Sequence, residues 1–137
     1  MAINREIKAQ KDFLTWLSKG KDVYIINNSF YGNEYFARKI DNLFIDKNFF
    51  KEKEVPISLK QSEKVLSIEE CEPIKVKRSI IKAKRLKSNN YICYIDSRYL
   101  DYFNDDCYFE ITGEFDAIKV YENNIFVGIM CPFIMKG

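Results

Sequence analysis

Between Tyr91 and Pro132 the turns of the chain fix the order of its elements, and that order constrains the fold more than any other stretch. Residues 91–96 read as a strand, 97–103 as a short amphipathic helix, and 108–112, 117–122 and 125–131 as three closely spaced strands. Val, Ile, Tyr and Phe fill these runs, and Gly113 and the Asn123-Asn124 pair separate them. A strand that feeds one or two helical turns and then an antiparallel meander is a unit that can bury one face. Tyr99, Leu100, Phe103, Ile111, Val120 and Ile129 lie on the apolar sides of these elements and are expected in one core.

The remainder is less explicit. A helix is expected over 4–19, with Asn4 as N-cap, Glu6 in the first turn and Gly20 as terminator. Ile3, Ile7, Phe13, Leu14 and Leu17 recur at helical spacing, with Trp16 at the edge of that stripe. A strand over 22–30, a turn at Tyr31-Gly32-Asn33 and a return over 34–45 make a hairpin, with Phe36, Arg38 and Ile40 on one face. Residues 46–73 carry a charged run and two prolines, and read as a large loop or an inserted hairpin with strand-like pieces at 55–59 and 65–68. Residues 75–87 fit a helical stripe through Val76, Ile80 and Ala83, while their β-branched content fits a strand.

At 137 residues the chain has the size of a single domain. Nothing approaches the ~20 apolar residues of a membrane span, and Met1 to Gln10 lacks a signal-peptide core, so a cytoplasmic protein with no membrane partner is expected. Histidine is absent, and the four cysteines, Cys71, Cys93, Cys107 and Cys131, form no closely spaced pair. Zinc sites are built from such pairs, commonly with imidazole, so no metal or other cofactor is expected and the thiols read as reduced and structural.

General acid–base chemistry at neutral pH draws most often on histidine, so the chain is read as non-catalytic. Asp101, Asp105 and Asp106 could hold a magnesium ion, but they read more simply as a solvated turn at the end of a helix.

Charge is unevenly spread. Residues 75–87 carry Lys75, Lys77, Arg78, Lys82, Lys84, Arg85 and Lys87 with no acid, a local charge of +7. Over 96–116 seven acids, among them Asp101, Asp105, Asp106 and Glu114, stand against Arg98 alone, a local charge of −6. Clustered cations suit phosphate neutralisation, and the acidic stretch suits a protein partner surface. The two segments can equally neutralise one another across the fold, and the cations can simply guard a sheet edge.

Ile95-Asp96-Ser97-Arg98-Tyr99-Leu100, the Thr112-Gly113 step, Ile118-Lys119-Val120-Tyr121 and the ending Val127-Gly128-Ile129-Met130-Cys131-Pro132 together resemble the closing half of a bacterial or phage DNA sliding-clamp domain. Ala117 stands where that family usually has proline, and clamps are rings assembled from several copies of a domain present here once. The resemblance implies a clamp-like α+β fold, two helices packed on one face of a mostly antiparallel sheet. It also implies helices that face DNA through lysines such as Lys8, Lys11, Lys19 and Lys21. The expected role is that of a binding protein, of the kind carried by phages and mobile elements, that contacts nucleic acid through phosphates or a DNA-processing protein. The alternative is an acidic modulator that mimics nucleic acid and inhibits a host enzyme.

Since neither disulfide nor zinc is expected to hold the fold, thermal melting with and without a reductant, and with and without a chelator, should give the same midpoint. A shift of many degrees with either reagent would overturn the reading of the cysteines.

Overall fold

The computed structural model describes residues 4–76 and 78–133. Helix α1 spans Arg5–Ser18, and the Asn4 side chain accepts hydrogen bonds from the Glu6 and Ile7 amides at 3.0 and 3.3 Å. Gly20, at φ +76, ends the helical path in the left-handed region. The buried face is Ala9, Gln10 and Phe13, with Trp16 and Leu17 packed against the core. Ile7 and Leu14, expected on that face, are 43% and 46% exposed. The helix is rotated because buried Gln10 uses both ends of its amide, donating to the Asn42 carbonyl at 3.0 Å and accepting from the Phe44 amide at 2.8 Å. Ile3 lies outside the described residues.

The hairpin expected over 22–45 is instead a meander of three short strands, β1 (Tyr24–Ile26), β2 (Phe30–Gly32) and β3 (Phe36–Arg38). Asn27 and Asn28 take φ of 54° and 59°, so the chain turns there, one strand earlier than glycine alone suggested. At Gly32 an added Cβ would come within 1.9 Å of the Phe36 carbonyl oxygen, so that glycine is required by the close return into β3.

Residues 46–73, expected as a large loop or an inserted hairpin, combine an irregular stretch over 54–62 with short strands on either side. They supply β4 (Lys51–Lys53), which runs parallel to β1, and β5 (Glu63–Lys64), which pairs with the far edge of the same sheet. Between them the piece expected as a strand at 55–59 is a strap, with Val55 and Ile57 packed on the sheet's outer face. The Asn27 side chain holds the strap by exchanging hydrogen bonds with the Val55 backbone, at 3.0 and 2.8 Å. The second strand-like piece is displaced to β6 (Ser67–Glu70).

The strand reading of 75–87 holds for most of its described residues: β7 (Ile74–Val76) and β8 (Ser79–Ile81) form a separate two-stranded ribbon, and β9 (Ala83–Lys87) joins another sheet. From there the order expected for 91–132 holds: β10 (Ile92–Asp96), a 3-10 segment (Ser97–Tyr102), β11 (Tyr108–Ile111), β12 (Ile118–Glu122) and β13 (Ile125–Met130). Asn123 and Asn124, both at positive φ, make the two-residue turn that joins the last pair.

The fold is mixed α+β, with one main helix and an eight-stranded, mostly antiparallel sheet ordered β4-β1-β2-β3-β13-β12-β11-β5. A smaller sheet, β10-β9-β6, contributes Leu86, Cys93 and Ile95 to the inner core alongside Phe13, Phe36, Phe103, Phe109, Ile118 and Val120. The second of the two expected helices is the 3-10 segment. It lies against α1, with the Tyr102 hydroxyl donating to Asp12 at 2.6 Å and Trp16 edge-on to Tyr102 at 6.2 Å.

Tyr99, Phe103, Ile111 and Val120 enter the inner core as expected, whereas Leu100 is half-buried at its margin. Ile129 does not join them. Gly128 pairs with Val120 on the inner side, so alternation along β13 turns Ile129 outward, onto Ile26, Phe30 and Ala37.

One buried ion pair ties these parts together. Arg38 meets Glu122 through both terminal nitrogens, at 3.1 and 3.2 Å, with side chains 5% and 8% exposed. Arg38 also donates to the carbonyls of Tyr102 and Lys39 at 2.7 and 2.9 Å, and Glu122 accepts from the Asn104 amide at 2.7 Å. Removing one partner strands the other charge without solvent, so Arg38→Ala should cost about 3–5 kcal/mol in urea denaturation. A loss below about 1 kcal/mol would mean that water reaches Glu122 and the pair is not closed.

Candidate nucleic-acid interface

The expected basic cluster does not form one patch, and strand alternation is the reason. On β9, Arg85 and Lys87 point to the same side, where Glu69 of β6 receives both: Arg85 at 2.6 Å and Lys87 at 3.5 Å. Glu69 and Arg85 are directly opposed across the strands, as are Glu70 and Lys84. The hydrogen bond from Arg85 holds the Glu69 carboxyl below the ordinary carboxylate range, and Glu69 in turn raises Arg85. Lys84 is half-buried on the other side of β9.

Lys75 and Arg78 on the ribbon, and Lys82 just after it, are exposed, and none of the three makes an ion pair among the described residues. Lys77 lies outside the described residues. Ile80, on β8, is 76% exposed, and Ser79 beside it is exposed as well. An open cleft of about 650 Å³ runs between the 70–74 connection and the outward side of β9 and β10, lined by Pro73, Ile74, Arg85 and Tyr94.

The acidic residues are also divided. Asp101, Asp105 and Asp106 are exposed before β11, and Asp105 is bound by Arg5 at 2.6 Å. Glu114 is exposed after β11, at the strand's opposite end. Asp96 is buried and bound to Arg98 at 2.6 Å. The expected neutralisation between 75–87 and 96–116 therefore does not occur among the described residues; the acids that meet the basic strand come from β6 instead. No group of three or more His, Cys, Asp or Glu able to hold a metal ion occurs among the described residues, and none of the described helices is long and apolar enough to cross a membrane.

Sequence reasoning missed a second cleft, of about 560 Å³, at the C-terminal end of α1. Trp16, Lys21, Tyr35, Arg98 and Tyr99 line it. Tyr99 is read from sequence as a core residue, and it is one, but Tyr35 stacks against it at 6.0 Å from a turn 64 positions earlier, a proximity that local periodicity cannot show. Burial raises the Tyr99 hydroxyl, with a smaller opposing effect from its hydrogen bond to Asn33.

All four cysteines are free thiols. Cys93 is 1% exposed, and its thiol faces the carbonyls of Gly113 and Glu114 at 3.5 Å each. Burial, then the charges of Glu114 and Asp116, pushes it up to about 12.

Comparison with protein-family models, with curated proteins and with solved structures found no match to this chain. The functional reading therefore rests on the residues and their arrangement.

The raised Cys93 thiol has a consequence for stability. The unfolded thiol ionises near pH 9 while the native one keeps its proton up to about pH 12. The unfolded state then binds fewer protons, so stability should fall as pH rises from about 9, by up to ~1.4 kcal/mol per pH unit from this group. Urea titrations at several alkaline pH values should show a shallower decline for Cys93→Ala than for the parent. Identical declines would mean that Cys93 ionises freely in the folded protein.

Proposed function

We propose that this chain is a non-catalytic binding protein that contacts nucleic acid through the phosphate backbone, using the β7–β8 ribbon as its principal element. The observation that carries this reading is the isolation of the ribbon: two short strands outside both sheets, with Lys75, Arg78 and neighbouring Lys82 exposed and unpaired among the described residues. A two-stranded ribbon fits the width of a DNA major groove, and cations that no protein carboxylate neutralises are the ones that release counterions from a phosphate backbone. Ser79 and Ile80 are the exposed non-basic residues of β8 and offer little base readout, so sequence-independent contact is expected.

The resemblance of 91–132 to a sliding-clamp domain belongs to the same reading. Lys11 and Lys19 of the α1 region are exposed and would add to a DNA-facing surface, whereas Lys8 is engaged by Asp12 at 3.3 Å. A DNA-processing protein encountered on the same nucleic acid is a compatible partner. The acidic alternative has weaker support, since Asp101, Asp105 and Asp106 sit at one end of β11 and Glu114 at the other.

Fluorescence anisotropy with a mixed-sequence duplex, repeated across salt concentrations, tests the proposal. Replacing Lys75, Arg78 and Lys82 together by Ala should lower the slope of log K against log salt by about 0.9 for each phosphate that is no longer neutralised. Arg85→Ala should leave the slope unchanged, because Glu69 already engages that side chain. Absence of binding by the parent protein at low salt would dismiss the nucleic-acid reading.

A further inference from the structure

The cleft at the end of α1 has a chemistry that neither the ribbon nor the core requires. Four rings lie roughly parallel in one cluster: Tyr102 on Phe36 at 4.5 Å and 7°, Phe36 on Tyr99 at 5.0 Å and 22°, Tyr99 beside Tyr102 at 6.3 Å and 28°, and Tyr99 on Tyr35 at 6.0 Å and 21°. The first three members are buried, whereas Tyr35 is 48% exposed and has no aromatic neighbour but Tyr99 among the described residues. Tyr35 thus stands at the exposed margin of the cluster and offers ring surface on which a planar ligand can stack.

Beside it stands an arginine held in place from below. The Arg98 side chain is 68% exposed, while the carboxylate that grips it, Asp96, is 4% exposed. Asp96 accepts from Arg98 Nε at 3.1 and 3.0 Å and from Nη2 at 2.6 Å, and the guanidinium lies 5.6 Å from the centre of the Tyr99 ring. Asp96 also accepts from the Arg98 backbone amide at 3.0 Å, so its position is fixed by the start of the 3-10 segment. Nη1 makes no hydrogen bond among the described residues. A guanidinium fixed on one edge and open on the other loses little rotamer freedom when it meets an anion.

Lys21 and Asp22 both line the cleft and are exposed, and Asp22 is offset by its ion pair with Lys51 at 3.1 Å. Glu34 remains on the rim, which limits the site to a modest negative charge. Asn33 donates from Nδ2 to the Tyr99 hydroxyl at 3.4 Å, leaving the hydroxyl proton for a ligand acceptor.

We infer that this cleft binds one nucleoside monophosphate unit, with its base stacked on Tyr35 and its phosphate at Arg98 Nη1 and Lys21. A volume of about 560 Å³ accommodates such a unit. The inference does not depend on the ribbon: the two sites share no residue, and either can fail alone. The unit can be a free mononucleotide or an unpaired nucleotide of a single strand, and the two sources present the same ring and the same phosphate.

Trp16 makes the test direct, because it is the chain's single tryptophan and it lines the cleft. With selective tryptophan excitation, the intact protein is titrated separately with AMP, adenosine, ribose 5-phosphate and a short mixed-sequence single strand. Saturable quenching by AMP is expected. Tyr35→Ala, at a half-exposed position, should weaken it about tenfold with an unchanged melting temperature. Arg98→Gln should weaken AMP while leaving adenosine unaffected. Quenching by the single strand without AMP would assign the unit to a strand and uphold the site. The inference is overturned if neither AMP nor the strand quenches, if ribose 5-phosphate binds as tightly as AMP, or if Tyr35→Ala binds like the parent.

Discussion

Arg38 and Glu122 meet in the interior at the junction of β3, the end of β12 and the exit of the 3-10 segment, and the placement of much else follows from that meeting. Two charges in a space that excludes water gain little net stability, because the loss of hydration nearly cancels their attraction. What the pair supplies is geometry. The bidentate contact fixes β12 against β3 across the intervening β13, and the bonds to the Tyr102 carbonyl and the Asn104 amide hold the 3-10 segment at one height over the sheet. That height brings Tyr99 and Tyr102 into register with Phe36, and Tyr102 in turn meets Asp12 and Trp16 of α1. The helix, the ring cluster and the cleft at the end of α1 all hang from this one arrangement, in which no buried side-chain polar atom among the described residues lacks a partner.

How much of this was legible in the sequence depended on whether local pattern or distant pairing decided each element. Alternation placed Phe36, Arg38 and Ile40 on one face, and all three are buried; what it could not supply was Glu122, 84 residues away. The 91–132 unit was readable because its strands are long enough to alternate and its turns are marked by Gly113 and by paired asparagines. The same asparagine signal at Asn27-Asn28 lies inside an apolar run, where Val, Tyr and Ile suggested continuation, and the glycine downstream drew the turn toward itself. Residues 46–73 were opaque for a different reason. Strands β4 and β5 have three and two residues and exist only because a neighbour offers an open edge, so their own composition carries no periodic signal.

The candidate site was legible as composition and not as geometry. Seven cations over 75–87 are plain in the sequence, but which of them are free depends on register, and register places Glu69 opposite Arg85 and Glu70 opposite Lys84. A charge count over a window treats all seven alike. Pairing with β6 brings Arg85 and Lys87 onto Glu69, while Lys75, Arg78 and Lys82 stay exposed and make no ion pair among the described residues. The cleft was hidden more deeply, since Tyr35, Arg98 and Trp16 come from three separate segments and none departs from what a core edge or a solvated loop would contain.

The treatment of strand edges gives the ribbon its significance. The main sheet ends on one side at β4, whose Lys51, Glu52 and Lys53 are all exposed charges, and on the other at β5, which is only two residues long. Short and charged edges resist pairing with another chain, and the strap carrying Val55 and Ile57 covers part of the outer face between them. A free two-stranded ribbon has little intrinsic stability. Exposed lysine and arginine along it repel a second copy, so homotypic strand addition is disfavoured there too. A backbone of phosphates, by contrast, is attracted by the same charges and asks nothing of the ribbon's open hydrogen-bonding edges, which is the physical basis of the nucleic-acid contact proposed above.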